Sequence, residues 1–312
     1  MTMPVLEVEG LSISFTQYDK GVRQRSLPVI RDLDLTIRPG QVVAVVGSSG
    51  SGKSLLAHGI LGILPYNARQ SGSIRYRGEP LTPRRAEELR GREIVLIPQS
   101  VGYLDPLMQV GPQIRKGRRD PASRARSREI LGRYHLGSEV EALYPFELSG
   151  GMTRRVLIST AVVEAPSLVI ADEPTPGLDP RSLHHIMDHF REIADSGAGL
   201  LLITHDLEAA LAIADRVAVF YAGETIEEAP ASDFAAEETL RHPYTRALWR
   251  AMPQHGFQPI PGAQPYPGAA RQGCPFLPRC PRRTAECGSA VPYRSVEGGF
   301  VRCLHPERGD EA

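Results

Sequence analysis

Cysteine is missing from the first 273 residues, and all four cysteines (Cys274, Cys280, Cys287, Cys303) fall in the last 40. That distribution excludes a secreted scaffold stapled along its length by disulfides. No apolar run approaches the roughly 20 residues needed to cross a bilayer, so any hold on a membrane must be borrowed from another chain. The opening MTMPVLEVEG has no basic segment leading into an apolar one, and no secretory signal is expected. Net charge is also absent, because 36 basic and 36 acidic residues cancel. This argues against nucleic acid as the main partner, since such binding usually needs a net basic face. The run Arg115, Lys116, Arg118, Arg119, Arg124, Arg126, Arg128 is a local exception and reads as a solvated face. Lysine is scarce: three occur in the chain, and one stands inside a glycine-rich loop.

With 312 residues, 41% of them apolar, the chain can bury one large domain and carry an appendage. Residues 5–15 (VLEVEGLSISF) and 28–38 (PVIRDLDLTIR) alternate in strand fashion. Pro39-Gly40 turns into the run 41–46, which has the length of a buried parallel strand. The glycine-rich loop follows, and 54–64 reads as the helix it opens. Residues 71–79 resemble a hairpin strand, and 93–97 a second buried strand. From about 106 to 147 the strand signal gives way to Arg, Ala, Glu and Leu, a helical insertion. Strands return at 168–171, 200–204 and 217–221, separated by helical patterns at 180–195 and 207–214. The alternation predicts a parallel sheet covered on both faces. Beyond about residue 250 Pro and Gly multiply, which reads as an irregular linker to the cysteine tail.

Gly47-Ser48-Ser49-Gly50-Ser51-Gly52-Lys53-Ser54 fits G-x-x-x-x-G-K-[ST], after a strand and before a helix as the motif requires. Its glycines let backbone N–H groups approach phosphates, and the helix N-terminus adds a favourable dipole. Lys53 is expected to neutralise the β- and γ-phosphates of ATP, and Ser54 to ligate Mg²⁺. Asp172 and Glu173 end the strand 168–171, where the first carboxylate can hold Mg²⁺ and the second can polarise an attacking water. Gln99, closing strand 93–97, can touch Mg²⁺ or that water. His205, ending strand 200–204, faces the nucleotide edge of a parallel sheet and is expected to contact the γ-phosphate and hold Glu173.

In this order and spacing, GSSGSGKS, PQ, LSGGM, LVIADEP, GLD and THD resemble the ATPase subunit of an ABC transporter over about residues 5–235. The resemblance implies an α/β P-loop (RecA-like) core with an antiparallel β subdomain, a helical subdomain and a small cysteine-rich extension. The expected division is 1–98 and 156–235 for the nucleotide-binding core, 99–155 for the helical subdomain with its signature loop, and 236–312 for the extension. It further implies that Ser149, Gly150 and Gly151 bind the γ-phosphate of ATP held on a partner's phosphate loop. Asp179 would communicate between the two sites, and an aromatic near the N-terminus, Phe15 before Tyr18, would stack on adenine. Pro176-Gly177 and Thr153-Arg154-Arg155 depart from the commoner pattern.

A second resemblance covers 99–115 and 242–303, through Tyr103-Leu104-Asp105-Pro106, Val110-Gly111-Pro112-Gln113, His242-Pro243-Tyr244-Thr245 and the cysteine tail. It is to the ATPases of the oligopeptide/dipeptide/nickel importer group. That implies a heteromeric importer with a second, related ATPase subunit, two integral-membrane permeases and an extracytoplasmic binding protein. The chain would then be peripheral on the cytoplasmic face of the cell membrane. In that group Cys274, Cys280, Cys287 and Cys303 can carry a [4Fe–4S] cluster. Four clustered thiols in a reducing compartment independently favour a metal centre, either Zn²⁺ or iron–sulfur. The spacing C-x₅-C-x₆-C-x₁₅-C lacks the close pairs of structural zinc and leans to iron–sulfur. Peptide is the expected cargo, with nickel or metallophore import, an exporter and a non-transport ATPase as alternatives.

Overall fold

Alternating apolar residues open the chain as two long antiparallel strands, β1 (Leu6–Tyr18) and β2 (Gln24–Ile37). The computed structural model describes residues 3–18, 21–48, 50–266 and 272–307. Next come β3 (Val42–Gly47), α1 (Lys53–Leu61), β4 (Ala68–Tyr76), β5 (Glu79–Pro80), α2 (Pro83–Leu89) and β6 (Ile94–Ile97). Helices α3 (Val110–Ile114), α4 (Pro121–Arg133) and α5 (Gly150–Val162) then run without an intervening strand to β7 (Leu168–Asp172). The strand–helix alternation resumes with α6 (Pro180–Asp195), β8 (Gly199–Thr204), α7 (Leu207–Leu211), β9 (Arg216–Tyr221) and β10 (Glu224–Pro230). Helix α8 (Pro243–Arg250) and the short strands β11 (Arg294–Val296) and β12 (Gly299–Val301) complete it.

Two sheets result. One is antiparallel in the order β2-β1-β4-β5; the other has eight strands in the order β11-β12-β10-β9-β3-β8-β7-β6. In the larger sheet β9, β3, β8, β7 and β6 are parallel, so their C-terminal ends share one edge. All six residues of β3 are buried, and the five before Gly47 divide between two cores. Val42, Ala44 and Val46 face the helices, among them Ile158 and Phe190; Val43 and Val45 face the antiparallel sheet and α1, through Leu11, Ile30 and Ile60. Burial of each such valine, leucine or isoleucine side chain contributes ~1.5–3 kcal/mol, which locks the sheet between its layers.

The parallel sheet and the helical stretch agree with expectation, but two helix boundaries shift. The helix predicted over 54–64 stops at Leu61, because Gly62 takes a left-handed φ of 63° and its N–H caps the Gly59 carbonyl. The pattern at 207–214 yields a helix only to Leu211. Helix α5 runs without a break from Gly150 to Val162. The basic run is largely paired: Arg115 and Arg128 with Glu141, Arg118 and Arg126 with Glu164.

The larger departure lies in the tail. Helix α8 precedes the stretch read as an irregular linker, and beyond that stretch the cysteine tail forms the unforeseen strands β11 and β12, which extend the main sheet through Glu227↔Val301 and Glu228↔Phe300. Strand β10 was hidden because its sequence, ETIEEAP, is acidic while its interior is buried. The carboxylates are tolerated there because each has partners. Glu228 takes Arg216 Nε at 2.7 Å, and Glu227 accepts the backbone N–H groups of Arg241 (2.8 Å) and His242 (2.7 Å). Arg241, with no exposed side chain, also donates to the carbonyls of Val296 (2.8 Å) and Glu297 (2.7 Å), stitching the extension to the core.

Candidate active site

The shared strand edge gathers the predicted groups. Val46 pairs with Thr204, Asp172 with Ile203 and Ile97 with Ala171, so Gly47, His205, Glu173 and Gln99 all leave the sheet at the same end. At Gly47 a Cβ would stand 2.2 Å from the Phe220 carbonyl oxygen, so only glycine fits between β3 and β9. Gly50, Ser51 and Gly52 complete the turn into α1, while Ser49 lies outside the described residues. Lys53 is buried, and its Nζ donates to the carbonyls of Gly47 (2.8 Å) and Ser48 (3.0 Å). Burial pulls the Lys53 pKa down, opposed by the neighbouring carboxylates of Glu173 and Asp172.

Asp172 is also buried, and burial raises its pKa against a hydrogen bond from Ser54. Its Oδ1 has no hydrogen-bond partner. A buried carboxylate oxygen without a donor, beside a serine hydroxyl, is the donor set a hard divalent cation takes, so Mg²⁺ fits these residues. Glu173 is buried with a left-handed φ of 48°, a strained backbone for a non-glycine residue. Its N–H is held by the Ile203 carbonyl at 2.8 Å, and its Oε2 lies 2.8 Å from His205 Nδ1. Gln99 is exposed beyond β6; its carbonyl and that of Pro98 accept from Arg154 of α5 at 2.7 and 3.0 Å.

Other expected residues stand apart from this cluster. Ser149 and Gly150 are exposed at the start of α5, where Ser149 Oγ accepts from the Met152 N–H at 3.3 Å. They do not line the cavity beside this chain's own phosphate loop, which Gly47, Ser48 and His205 form with Tyr244, Gln264 and Arg279. Asp179 is the N-cap of α6, accepting from Arg181 and Ser182 N–H groups at 3.1 Å, and the Ser182 hydroxyl holds its pKa down. Phe15 is half-buried in β1 against the second core; Tyr18, further along the strand, is exposed and bonds Gln24.

The four cysteines line one small cavity together with His242, His305 and Arg282. Cys287 and Cys303 are buried, Cys274 and Cys280 half-buried. Burial pushes the Cys274 thiol up to about 12 and Cys303 to about 11. His242 Nδ1 accepts the Tyr244 N–H at 2.9 Å, which leaves the Nε2 proton for Cys274 Sγ, 3.9 Å away. Among the described residues, no three His, Cys, Asp or Glu side chains are arranged to hold a metal ion. The expected ligands are thus collected round a cavity and not drawn into a coordination sphere. Gln264, Arg279 and Tyr221 were missed, since nothing in a Pro/Gly-rich stretch or a strand end signals proximity to a loop more than 150 residues upstream.

Comparison with known proteins agrees with this geometry. Residues 30–176 match the ABC transporter family, and residues 226–287 match the oligopeptide/dipeptide transporter C-terminal region. A Brucella abortus (strain 2308) protein, provisionally named a peptide import ATP-binding protein, is 36% identical over 97% of this chain and 95% of its own length. The oligopeptide transport ATP-binding protein OppD of Salmonella typhimurium (strain LT2) is 34% identical over 97% of this chain and 94% of its own. Among solved structures, the ATP-binding subunit of an ABC transporter superposes with TM-score 0.61 at 26% identity, covering 74% of this chain and 91% of its own. The dimeric ABC transporter cassette MJ0796 shares the fold, with TM-score 0.63 at 22% identity over 72% of this chain and 98% of its own. Matched along nearly its whole length, and with the phosphate loop and acidic strand end side by side, the chain belongs to the ABC transporter family of ATP-binding subunits and carries the C-terminal region of its oligopeptide/dipeptide transporters.

Proposed function

We propose that this ABC-type ATPase is the motor of a peptide importer, converting ATP binding and hydrolysis into movement of separate permease subunits. The observation that carries the reading is the meeting of Lys53, Asp172, Glu173 and His205 at one sheet edge, while Ser149 and Gly150 of the signature loop stand exposed at the head of α5. A chain so built holds ATP on its own loop and offers a second glycine–serine loop to the ATP of a partner.

The phosphate loop, Gly47 to Ser54, wraps the phosphates with backbone N–H groups, and Lys53 turns its ammonium from loop carbonyls to the β- and γ-phosphates. Ser54, Asp172 and Gln99 would hold Mg²⁺, which supplies neutralisation of phosphate charge. Glu173 orients water for in-line attack and accepts its proton as the γ-phosphorus–oxygen bond to ADP breaks. His205 fixes the Glu173 carboxylate and contacts the γ-phosphate. Phe15 stacks on adenine, with Tyr18 the second choice. Asp179, at the head of α6, relays between the paired sites.

The division into a core (1–98 and 156–235), a helical subdomain (99–155) and an extension (236–312) belongs to the same reading. Its partners are a related ATPase subunit, two permeases and an extracytoplasmic binding protein. No helix of the described residues is long and apolar enough to cross a membrane, and the permeases would hold the chain at the cytoplasmic face. Cys274, Cys280, Cys287 and Cys303 would carry a [4Fe–4S] cluster, with Zn²⁺ the alternative; the donor set of four thiols around one cavity supports this. The test is uptake by liposomes holding the complete transporter. ATP-dependent peptide uptake, lost on Glu173→Gln, is expected. Transport of nickel and not peptide would overturn the cargo, and efflux of peptide would overturn the direction.

A further inference from the structure

The C-terminal extension reaches the phosphate loop. Gln264, on the stretch after α8, accepts a hydrogen bond from the Ser48 hydroxyl on its Oε1. That stretch is itself held by Arg279, whose Nε donates to the Pro261 carbonyl at 2.7 Å and Nη2 to the Ile260 carbonyl at 3.0 Å. The third arm of the guanidinium donates to Tyr221 Oη at 2.9 Å. Tyr221 ends β9, whose Phe220 pairs with Gly47, so one arginine grips both the strap and the strand beside the loop. Tyr244 closes the same cavity; its ring lies 4.4 Å from that of Tyr221, and its hydroxyl interacts with Ser48.

We infer that Gln264 and Arg279 are positioning residues for nucleotide, and that the extension sets the affinity of this chain's own site by bracing the phosphate loop at Ser48. A loop with glycines at 47, 50 and 52 loses much conformational freedom when it closes on phosphates. A contact that already holds one of its residues removes part of that cost and tightens binding. Because Arg279 immediately precedes Cys280, which lines the cysteine cavity, the brace is anchored in the cysteine-rich segment. This rests on the reading of Gly47–Ser54 as a nucleotide site.

The experiment is titration of the purified full-length chain with fluorescent ADP and Mg²⁺, alongside thermal unfolding. Gln264→Ala is expected to weaken ADP about fivefold, the worth of one neutral hydrogen bond, with the unfolding midpoint unchanged. Arg279→Ala is expected to weaken it at least as much; should that variant fail to fold, Gln264→Ala carries the test alone. Ser48→Ala and the Ser48→Ala/Gln264→Ala double variant close a cycle in which the second change adds nothing to the first. An ADP affinity for Gln264→Ala equal to that of the unaltered chain, or full additivity in the cycle, overturns the brace. If the unaltered chain and Lys53→Ala bind ADP equally, the nucleotide site itself is wrong and the brace falls with it.

Discussion

Replacing Glu173 by Gln separates chemistry from binding at this site. The side chains are nearly isosteric, and an amide oxygen can still face His205 Nδ1, 2.8 Å from the present carboxylate. Glutamine is unbranched at Cβ and meets the left-handed backbone at φ 48° no worse than glutamate. The fold should therefore persist. What is lost is a proton acceptor for the attacking water, a contribution of ~10²–10⁴ in rate, or about 2.7–5.5 kcal/mol on the barrier. What is gained is relief of charge: Glu173 is one of the groups that keeps the Asp172 pKa high, and an amide also repels phosphate less. ATP affinity should stay equal or tighten. Phosphate release in single-turnover experiments, with ATP affinity measured on the same protein, checks both halves. Turnover within threefold of the unaltered chain, or loss of ATP binding, would refute the assignment of Glu173.

Three further outcomes follow from the geometry. Arg241→Ala strands buried Glu227 and two carbonyls, so a denaturant titration should show a loss of ~3–5 kcal/mol; a loss below about 1 kcal/mol would mean water replaces the guanidinium. Burial lowers the His189 pKa to about 4, with Arg133 adding to the effect and Glu192 opposing it, and the ring contacts Tyr134 Oη. Its stabilising contribution is therefore complete above pH 6.5 and lost as pH falls toward 4; His189→Gln should flatten that part of the stability profile, and an unchanged slope would count against it. Anaerobic purification should give broad absorbance near ~400 nm and roughly four irons per chain, both lost in Cys280→Ser. One zinc without iron would contradict the cluster.

Several elements were legible because their signals are local. The phosphate loop is a contiguous motif that combines a strand end, glycine permissiveness and a helix start, and the apolar runs of β3, β7 and β8 leave a buried parallel sheet as the consistent reading. Helix α6 matched its predicted limits, with Asp179 as cap and Pro180 in the first turn. Strand β10 was illegible for the opposite reason. Its interior glutamates look like surface residues until Arg216, Arg241 and the backbone of His242 are seen to satisfy them.

The residue pattern by itself determined the nucleotide chemistry: a lysine after a glycine-rich turn, an Asp-Glu pair ending an apolar strand and a histidine ending another. Each of these signals lies in a few neighbouring residues. Only the tertiary structure decided that the cysteine tail is built into the main sheet and that its strap reaches Ser48. The strap contact joins residues 216 positions apart through a single hydrogen bond, and the tail pairs with β10 from far along the chain; such pairings leave no periodicity, spacing or composition in the chain for a reader of sequence to find.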